Sequence, residues 1–186
     1  MFEYQVVSEM RSLLKSGFYS KEKLIEIYSD EICESCDLSP EAVVEIIDAD
    51  FQQLDEQKHT WPAVTDVDRL EAAFEALSQQ GFICLHNAGG TQSEANKAVQ
   101  DKVERHTGKE SVVAYCFYHT PDLERAVRGM GLYLAFGPID TSLEDSEGPK
   151  IGERVREALE QQGLEVEWDG TFNTRMLLPT ISWQKR

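Results

Sequence analysis

His119 is the residue of this sequence best suited to acid–base chemistry. It ends the apolar run VVAYCFYH, which predicts a central strand, and Pro121 then starts a helix. An imidazole changes its charge near neutral pH, so it can donate or accept a proton during a reaction. We therefore predict His119 as the catalytic residue if the protein is an enzyme. The alternative is that His119 caps a turn or packs against Trp168.

Further polar residues gather near His119 if two predicted strands run parallel. The apolar stretch FICLH ends at His86, and the C-terminal ends of parallel neighbours share one edge of a sheet. Ligands of open α/β sheets bind beyond that edge. A residue near the start of the last predicted strand would approach from a hairpin. The predicted ligand-binding residues, which suit a small anionic or amide-bearing ligand, are Asn87, Gly89, Gly90, Thr91, Gln92, Asp122 and Arg175.

The glycine pair of this set, Gly89 and Gly90, has two interpretations. Its backbone N–H groups stand before a predicted helix and could bind an anion, with support from the helix dipole. The spacing, however, matches neither the P-loop nor the dinucleotide-binding fingerprint. The alternative is a glycine-rich turn in which Thr91 caps its own helix, because TQSE at 91–94 has the pattern of a capping box.

The cysteines do not form a recognisable metal motif. The stretch CESC at 33–36 is one CxxC pair, and a structural zinc site usually needs a second pair. Cys84 and His86 could lie on one face of a strand, but Cys116 and His119 are three apart and would point to opposite faces. We predict no metal site and no cofactor. Because the start of the sequence lacks a signal-peptide pattern, reduced thiols and a cytoplasmic location are expected.

The charge of the chain restricts its partners. The 186 residues carry a formal net charge of −16, and residues 1–60 contain 14 acidic and 5 basic residues, a net charge of −9. Nucleic acids and anionic membranes need a basic surface, so both are excluded as general partners. A basic protein partner fits this charge. We predict a protein-interaction or regulatory module with an acidic surface. The alternative is a small-ligand-binding domain or enzyme with a site around His119.

The elements that position these residues follow from the apolar periodicity. Residues 1–60 predict three helices, the third of which starts at Ser39-Pro40 with a capping hydroxyl and a proline at its first position. Since about 60 residues make a marginal core, this segment is expected to pack on a main domain at 61–186. Helices and strands alternate from 65 to 168, and an edge hairpin follows.

This order predicts an α+β or α/β sandwich with a mixed sheet of about five strands. The predicted strands are FICLH, VVAYCFYH, LYLAF, LEVEW and RMLLPTISW. The stretch GPIDTSLEDSEGPK at 137–150 predicts a polar loop over most of its length, because acids, glycines and prolines disfavour regular structure. Such an acidic loop could also act as a lid.

Five motifs resemble those of an uncharacterised bacterial family known as a domain of unknown function. They are TWPAVTDVDRLEAAF, NAGGTQSEA, YCFYHTPDLERAV, GLYLAFGPID and VEWDGTFNTR, and together they extend over most of the chain. Gly90 stands where the resembling family has an aromatic residue. The resemblance implies a bacterial cytoplasmic protein, and it implies no activity.

Overall fold

The structure, a computed structural model, describes residues 2–36, 38–106 and 111–186. The chain separates into two compact units, of which the first contains the residues up to Thr65 together with Trp183–Arg186, and the second Asp66–Ser182. Within the described residues the helices are α1 (Phe2–Ser16), α2 (Lys21–Cys36), α3 (Pro40–Lys58), α4 (Asp66–Ser78), α5 (Gln92–Arg105), α6 (Thr120–Val127) and α7 (Glu144–Gln161). The strands are β1 (Phe82–Leu85), β2 (Ala114–Phe117), β3 (Leu132–Pro138) and β4 (Met176–Leu178).

The first unit contains the three helices that the sequence of residues 1–60 predicts. Met10, Leu24 and Ile47, one from each helix, are completely buried in its core. The helix starts are fixed by local hydrogen bonds, since the Ser39 hydroxyl accepts the N–H of Ala42 at 3.3 Å. The end of the chain also packs here, and the indole Nε1 of Trp183 donates to a backbone oxygen of this unit at 3.0 Å.

The second unit contains a mixed sheet in the order β1-β2-β3-β4. Strands β1 and β2 are parallel, with Cys84 opposite Cys116, whereas β2–β3 and β3–β4 are antiparallel. One face of the sheet packs against α5 through Ile83, Val99 and Phe117. Helices α4 and α7 contact β1 and β3. The predicted mixed α+β architecture is confirmed, and the parallel pair brings the ends of β1 and β2 to the same edge.

The strand count is slightly lower than predicted, because LEVEW does not form a full strand. Its single contact with the sheet is a bridge between Glu167 and Leu177, whose backbone N–H and C=O groups exchange hydrogen bonds of 2.8 and 2.9 Å. Leu164 is buried and Glu165 is exposed, so the predicted alternation is present without a ladder. The segment leaves the sheet because Trp168 packs against β3 and α7, where its ring lies 5.5 Å from that of Phe136.

The predicted polar loop at 137–150 is wrong in its second half, because α7 begins at Glu144. Three acids in the first turn of α7 stabilise this helix start, because their negative charges lie at the positive end of the helix dipole. The two glycines that disfavour a helix, Gly148 and Gly152, are needed for packing. A Cβ atom would lie 2.6 Å from the ring of Phe172 at position 148 and 2.5 Å from the ring of Trp168 at position 152. These aromatic rings therefore lie directly on the helix backbone.

No helix among the described residues combines the length and the apolar character that a membrane crossing requires. The longest, α3, contains seven charged side chains in its 19 residues, PEAVVEIIDADFQQLDEQK.

Because α7 contacts Trp168, we expect the replacement of Gly152 by alanine to destabilise the fold, whereas the same replacement in an open helix is stabilising. In an open helix, replacing an interior glycine by alanine stabilises the fold by about 0.5–1 kcal/mol. We expect Gly152→Ala to lower the free energy of unfolding by about 1–3 kcal/mol instead, because the new methyl group overlaps the indole ring. Urea denaturation followed by circular dichroism measures this difference. Glu157→Ala, on the exposed side of α7, is the control and should stay within about 0.5 kcal/mol of the parent. A more stable Gly152→Ala chain would contradict the packing.

Candidate functional site

A buried carboxylate lies at the centre of the predicted strand-end site. Asp122, in the first turn of α6, is 2% exposed. Its Oδ1 and Oδ2 accept hydrogen bonds from Nη1 of Arg175 at 2.9 and 3.0 Å, and Oδ2 accepts the backbone N–H of His119 at 3.3 Å. Nδ1 of His119 also contacts Oδ2. One guanidinium and one imidazole therefore contact this carboxylate, and the charge of the guanidinium offsets the cost of removing the carboxylate from water.

Local chain geometry brings His119 to Asp122. His119 is the N-cap of α6, and Asp122 is the third residue inside the helix, so the two side chains meet across the first turn. The side chain of His119 is 14% exposed, and that of Arg175 is 40% exposed. A carboxylate at Nδ1 holds the imidazole in one orientation and favours a proton on Nδ1, which leaves Nε2 as the ring nitrogen for other chemistry.

Sequence reasoning missed an aromatic residue that belongs to this cluster. The guanidinium carbon of Arg175 lies 4.8 Å from the ring centroid of Tyr133, and that of Arg125 lies 5.1 Å from the same centroid. Arg125 also donates to the backbone oxygen of Met130 at 2.9 Å. The local sequence of Tyr133 predicts only a position in the strand LYLAF, because nothing in it indicates that two arginines lie over the ring.

The loop after β1 is held against the start of α6. Asn87 has a left-handed backbone with a φ of 48°, and its Oδ1 accepts the hydroxyl of Thr120 at 2.8 Å. The same hydroxyl donates to the backbone oxygen of Gly89 at 2.9 Å, and Ala88 N–H donates to Tyr118 O at 2.9 Å. Thr120 therefore connects the Asn87 loop to the helix that carries Asp122. The sequence signal for it was its position directly before a proline, which indicated only a helix start.

The remaining predicted residues form the cap of α5. Thr91 accepts the N–H of Glu94 at 3.2 Å, and the carboxylate of Glu94 accepts the N–H of Gly90 at 2.7 Å. The side chain of Gln92 donates to Asn96 at 3.1 Å. The carboxylate of Glu94 therefore already accepts the N–H of Gly90, which is one of the backbone groups predicted to bind an external anion. Gly89 meets the same residue closely, since a Cβ there would lie 2.8 Å from the Cβ of Glu94.

The cysteines near this edge are poor nucleophiles and poor metal ligands. Burial raises the pKa of Cys84 to about 12 and raises the pKa of the fully buried Cys116 as well. Both thiols therefore stay protonated at neutral pH, and the thiolate is the form that reacts or binds metal. In the part of the chain that the structure describes, no three side chains of His, Cys, Asp or Glu gather in a way that could hold a metal ion.

A groove on the α5 face of the sheet was not foreseen from the sequence. It has a volume of about 330 Å³ and lies between α5, β2 and the segment that follows β3. Its apolar wall includes Val99, Val103 and Ile139, and the ring of Tyr115 also lines it. Glu104 and Glu144 contribute the two carboxylates of its lining. The sequence separations among these residues are large, which is why periodicity within one element did not indicate a site.

Comparisons with known proteins support the family resemblance that the motifs indicated. Neither the comparison with curated proteins nor the comparison with solved structures found a match. The model of one family, described as a domain of unknown function (DUF6891), matches residues 2–186, which is nearly the whole chain. On this match the chain belongs to the family DUF6891.

Proposed function

We propose that this protein is a protein-interaction module that binds a basic protein partner on an acidic surface. The observation that carries this proposal is the outer face of α2, which presents four exposed carboxylates, of which Glu26 pairs with Lys23. A cytoplasmic location is part of the proposal. It is supported by the four cysteines, Cys33, Cys36, Cys84 and Cys116, none of which forms a disulfide bond.

Helix α2 carries an exposed row of acids at four-residue spacing. The row consists of Glu22, Glu26, Asp30 and Glu34. Like charges four residues apart on a helix destabilise it by about 0.2–0.5 kcal/mol per pair. The row therefore lowers the stability of α2, a cost that a surface selected only for solubility could avoid by mixing charges. Ile27 lies among these acids with 41% of its surface exposed, which adds an apolar contact to the acidic face.

Several basic side chains of this unit pair with acids. Among the described residues, Arg11 pairs with Asp50 at 2.7 Å, and three lysines form pairs of 2.8–2.9 Å, namely Lys21 with Asp48, Lys23 with Glu26 and Lys58 with Asp55. Exposed pairs of this kind contribute little to stability. Residues 1–60 carry a net charge of −9 with these basic residues counted. The resulting negative potential attracts a basic partner and speeds its association.

Glu22, the first acid of the row, remains ionised at physiological pH. Hydrogen bonds to its own backbone N–H and to Ser20 lower the pKa of Glu22 below its ordinary value of 4.5. A lowered carboxyl pKa means that protonation begins only at still lower pH. The contribution of Glu22 to the binding of a basic partner should therefore persist throughout the pH range of a cell.

A second candidate function is favoured by the Asp122 cluster. The carboxylate orients His119, and the partly exposed guanidinium of Arg175 retains donors beyond the one that contacts Asp122. Such a set could bind a small anion, with Nε2 of the imidazole as an acid or base. Asn87 is engaged by Thr120, and Gly90 by Glu94, so these two groups already have intramolecular partners. The ligand would therefore depend mainly on His119 and Arg175.

Neutralising the acidic row should weaken binding and leave the fold intact. The variant combines Glu22→Gln, Glu26→Gln, Asp30→Asn and Glu34→Gln, and the probe is a fluorescein-labelled octalysine peptide. Exposed ion pairs contribute about 0.2–1 kcal/mol each, so the four changes should raise the dissociation constant by about tenfold in fluorescence anisotropy. The free energy of unfolding should change little, because the removal of three like-charged pairs is offset by the loss of the Lys23–Glu26 pair and of the hydrogen bonds to ionised Glu22.

The matched control removes the same charge from the second unit. It combines Asp145→Asn, Glu157→Gln, Glu160→Gln and Glu165→Gln, all at exposed positions. We expect this control to change the dissociation constant by less than about twofold, since it leaves the α2 row intact. Equal weakening by both variants would show that net charge alone determines binding, and the proposal would fail.

The second candidate is tested by a thermal-shift screen against phosphate, nucleotides, sugar phosphates and amino acids. A ligand present at 100 times its dissociation constant stabilises the folded state by about 2.7 kcal/mol. An anion that uses the strand-end site should raise the melting temperature of the parent chain but not of His119→Gln or Arg175→Lys. His106→Gln, an exposed histidine of the same unit, should keep the response. A flat screen, or a response that both site variants retain, would eliminate this candidate.

A further inference from the structure

We propose that the groove on the α5 face binds an arginine side chain of a basic partner segment, with apolar residues of that segment on either side of the arginine. The inference rests on the proposed function for the basic nature of the partner, but it concerns a different surface from α2. It is drawn from the shape, the lining and the charge of the groove.

The groove has an ordered aromatic lining. The ring of Tyr115 stacks on that of Phe117, with centroids 5.6 Å apart and an interplanar angle of 23°. The backbone of β3 allows the ring to lie close, since a Cβ on Gly137 would be 2.7 Å from the Tyr115 hydroxyl oxygen. Gly137 therefore permits the position of a ring whose face could receive a guanidinium group.

The charge of the lining favours a cation. Glu104 lies near the end of α5, and Glu144 begins α7, so the two carboxylates come from different elements. Among the described residues that line the groove there is no lysine or arginine. Burial and the charge of Glu144 raise the pKa of Tyr115, which keeps its hydroxyl protonated and its ring neutral.

The remaining lining selects the kind of cation. Val99, Val103 and Ile139 give the groove an apolar wall, which suits the methylene stem of a long side chain. A planar guanidinium stacks on an aromatic ring and can donate two parallel hydrogen bonds to a carboxylate, which an ammonium group cannot do. The volume of about 330 Å³ is close to the lower limit for ligand pockets and is consistent with one large side chain rather than a folded element.

Peptide binding to the full chain tests this inference. The probe is the blocked peptide acetyl-Gly-Leu-Arg-Leu-Gly-amide, and the matched peptide contains citrulline, which has nearly the shape of arginine without its charge. In ¹H–¹⁵N NMR titrations, the arginine peptide should shift the amide signals of Val103, Tyr115 and Ile139. The citrulline peptide should bind about tenfold more weakly, because a charge-assisted hydrogen bond is roughly twice as strong as a neutral one and the cation–π contact is also lost.

Variants of the chain locate the bound arginine. Glu104→Gln and Glu144→Gln should each weaken the arginine peptide by about fivefold and leave the citrulline peptide unchanged, since each removes a charge that only arginine uses. Gly137→Ala should weaken both peptides because it displaces Tyr115. Glu157→Gln, on α7 but outside the groove, is the control.

Three results would overturn the inference: equal affinity of the two peptides, signal changes outside the groove only, or no binding at millimolar peptide. The α2 variant with four neutralised acids shows whether a failure concerns the groove or the proposed function, because octalysine and the arginine peptide can both be titrated into it. If the variant loses octalysine but still binds the arginine peptide, both proposals stand. If it retains octalysine, the proposed function fails whatever the groove binds.

Discussion

The burial of one carboxylate, that of Asp122, constrains how the end of the sheet is built. A carboxylate that is 2% exposed needs charged or hydrogen-bonding partners in the protein, because water cannot solvate it. His119 supplies one partner from the same helix turn, and Arg175 supplies another from the residue before β4. The ion cluster thus joins a local helix start to a chain segment 53 residues away. Tyr133 then packs against the arginine, so the strand-end surface is organised around this carboxylate.

The proposed sites differ in the charge of the groups that remain available to a ligand. At the strand end, the guanidinium of Arg175 and the imidazole of His119 already contact Asp122, and only part of their hydrogen-bonding capacity remains for a ligand. On α2 and in the groove, the carboxylates are the groups that face solvent. In this chain, whose net charge is −16, the arginine at the strand end is paired with a buried acid, whereas many acids are exposed to solvent. A basic partner therefore fits the exposed charge better than a small anion does.

The predicted helix caps and the predicted order of parallel strands agree with the structure. Ser39 and Thr91 cap their helices through hydroxyl groups, and the parallel arrangement of the strands that end near His86 and His119 is present. These features follow from patterns within a few residues or from the order of elements. The motifs also indicated the family. The location of Arg175 beside Asp122 was anticipated only as an approach from a hairpin, because no sequence pattern fixes a contact across that distance.

The features that the sequence did not predict depend on contacts between distant segments. Helix α7 includes Gly148 because a ring from position 172 packs on its backbone, and neither residue indicates this alone. The segment LEVEW has the alternation of a strand, yet Trp168 packs on Gly152 instead of extending the ladder. Likewise, the groove exists only once Val99 and Ile139 are brought together. In each case tertiary packing outweighs the local preference.

The salt dependence of octalysine binding is the most direct test of recognition by the acidic α2 row, because the proposed recognition is electrostatic. The measurement is the dissociation constant at rising salt from 25 to 300 mM. We expect a steep loss of affinity for the parent chain and a shallower dependence for the chain with neutral residues in the α2 row, since fewer charges remain to be screened. An affinity that does not change with salt, or an equal dependence in both chains, would contradict electrostatic recognition by this row.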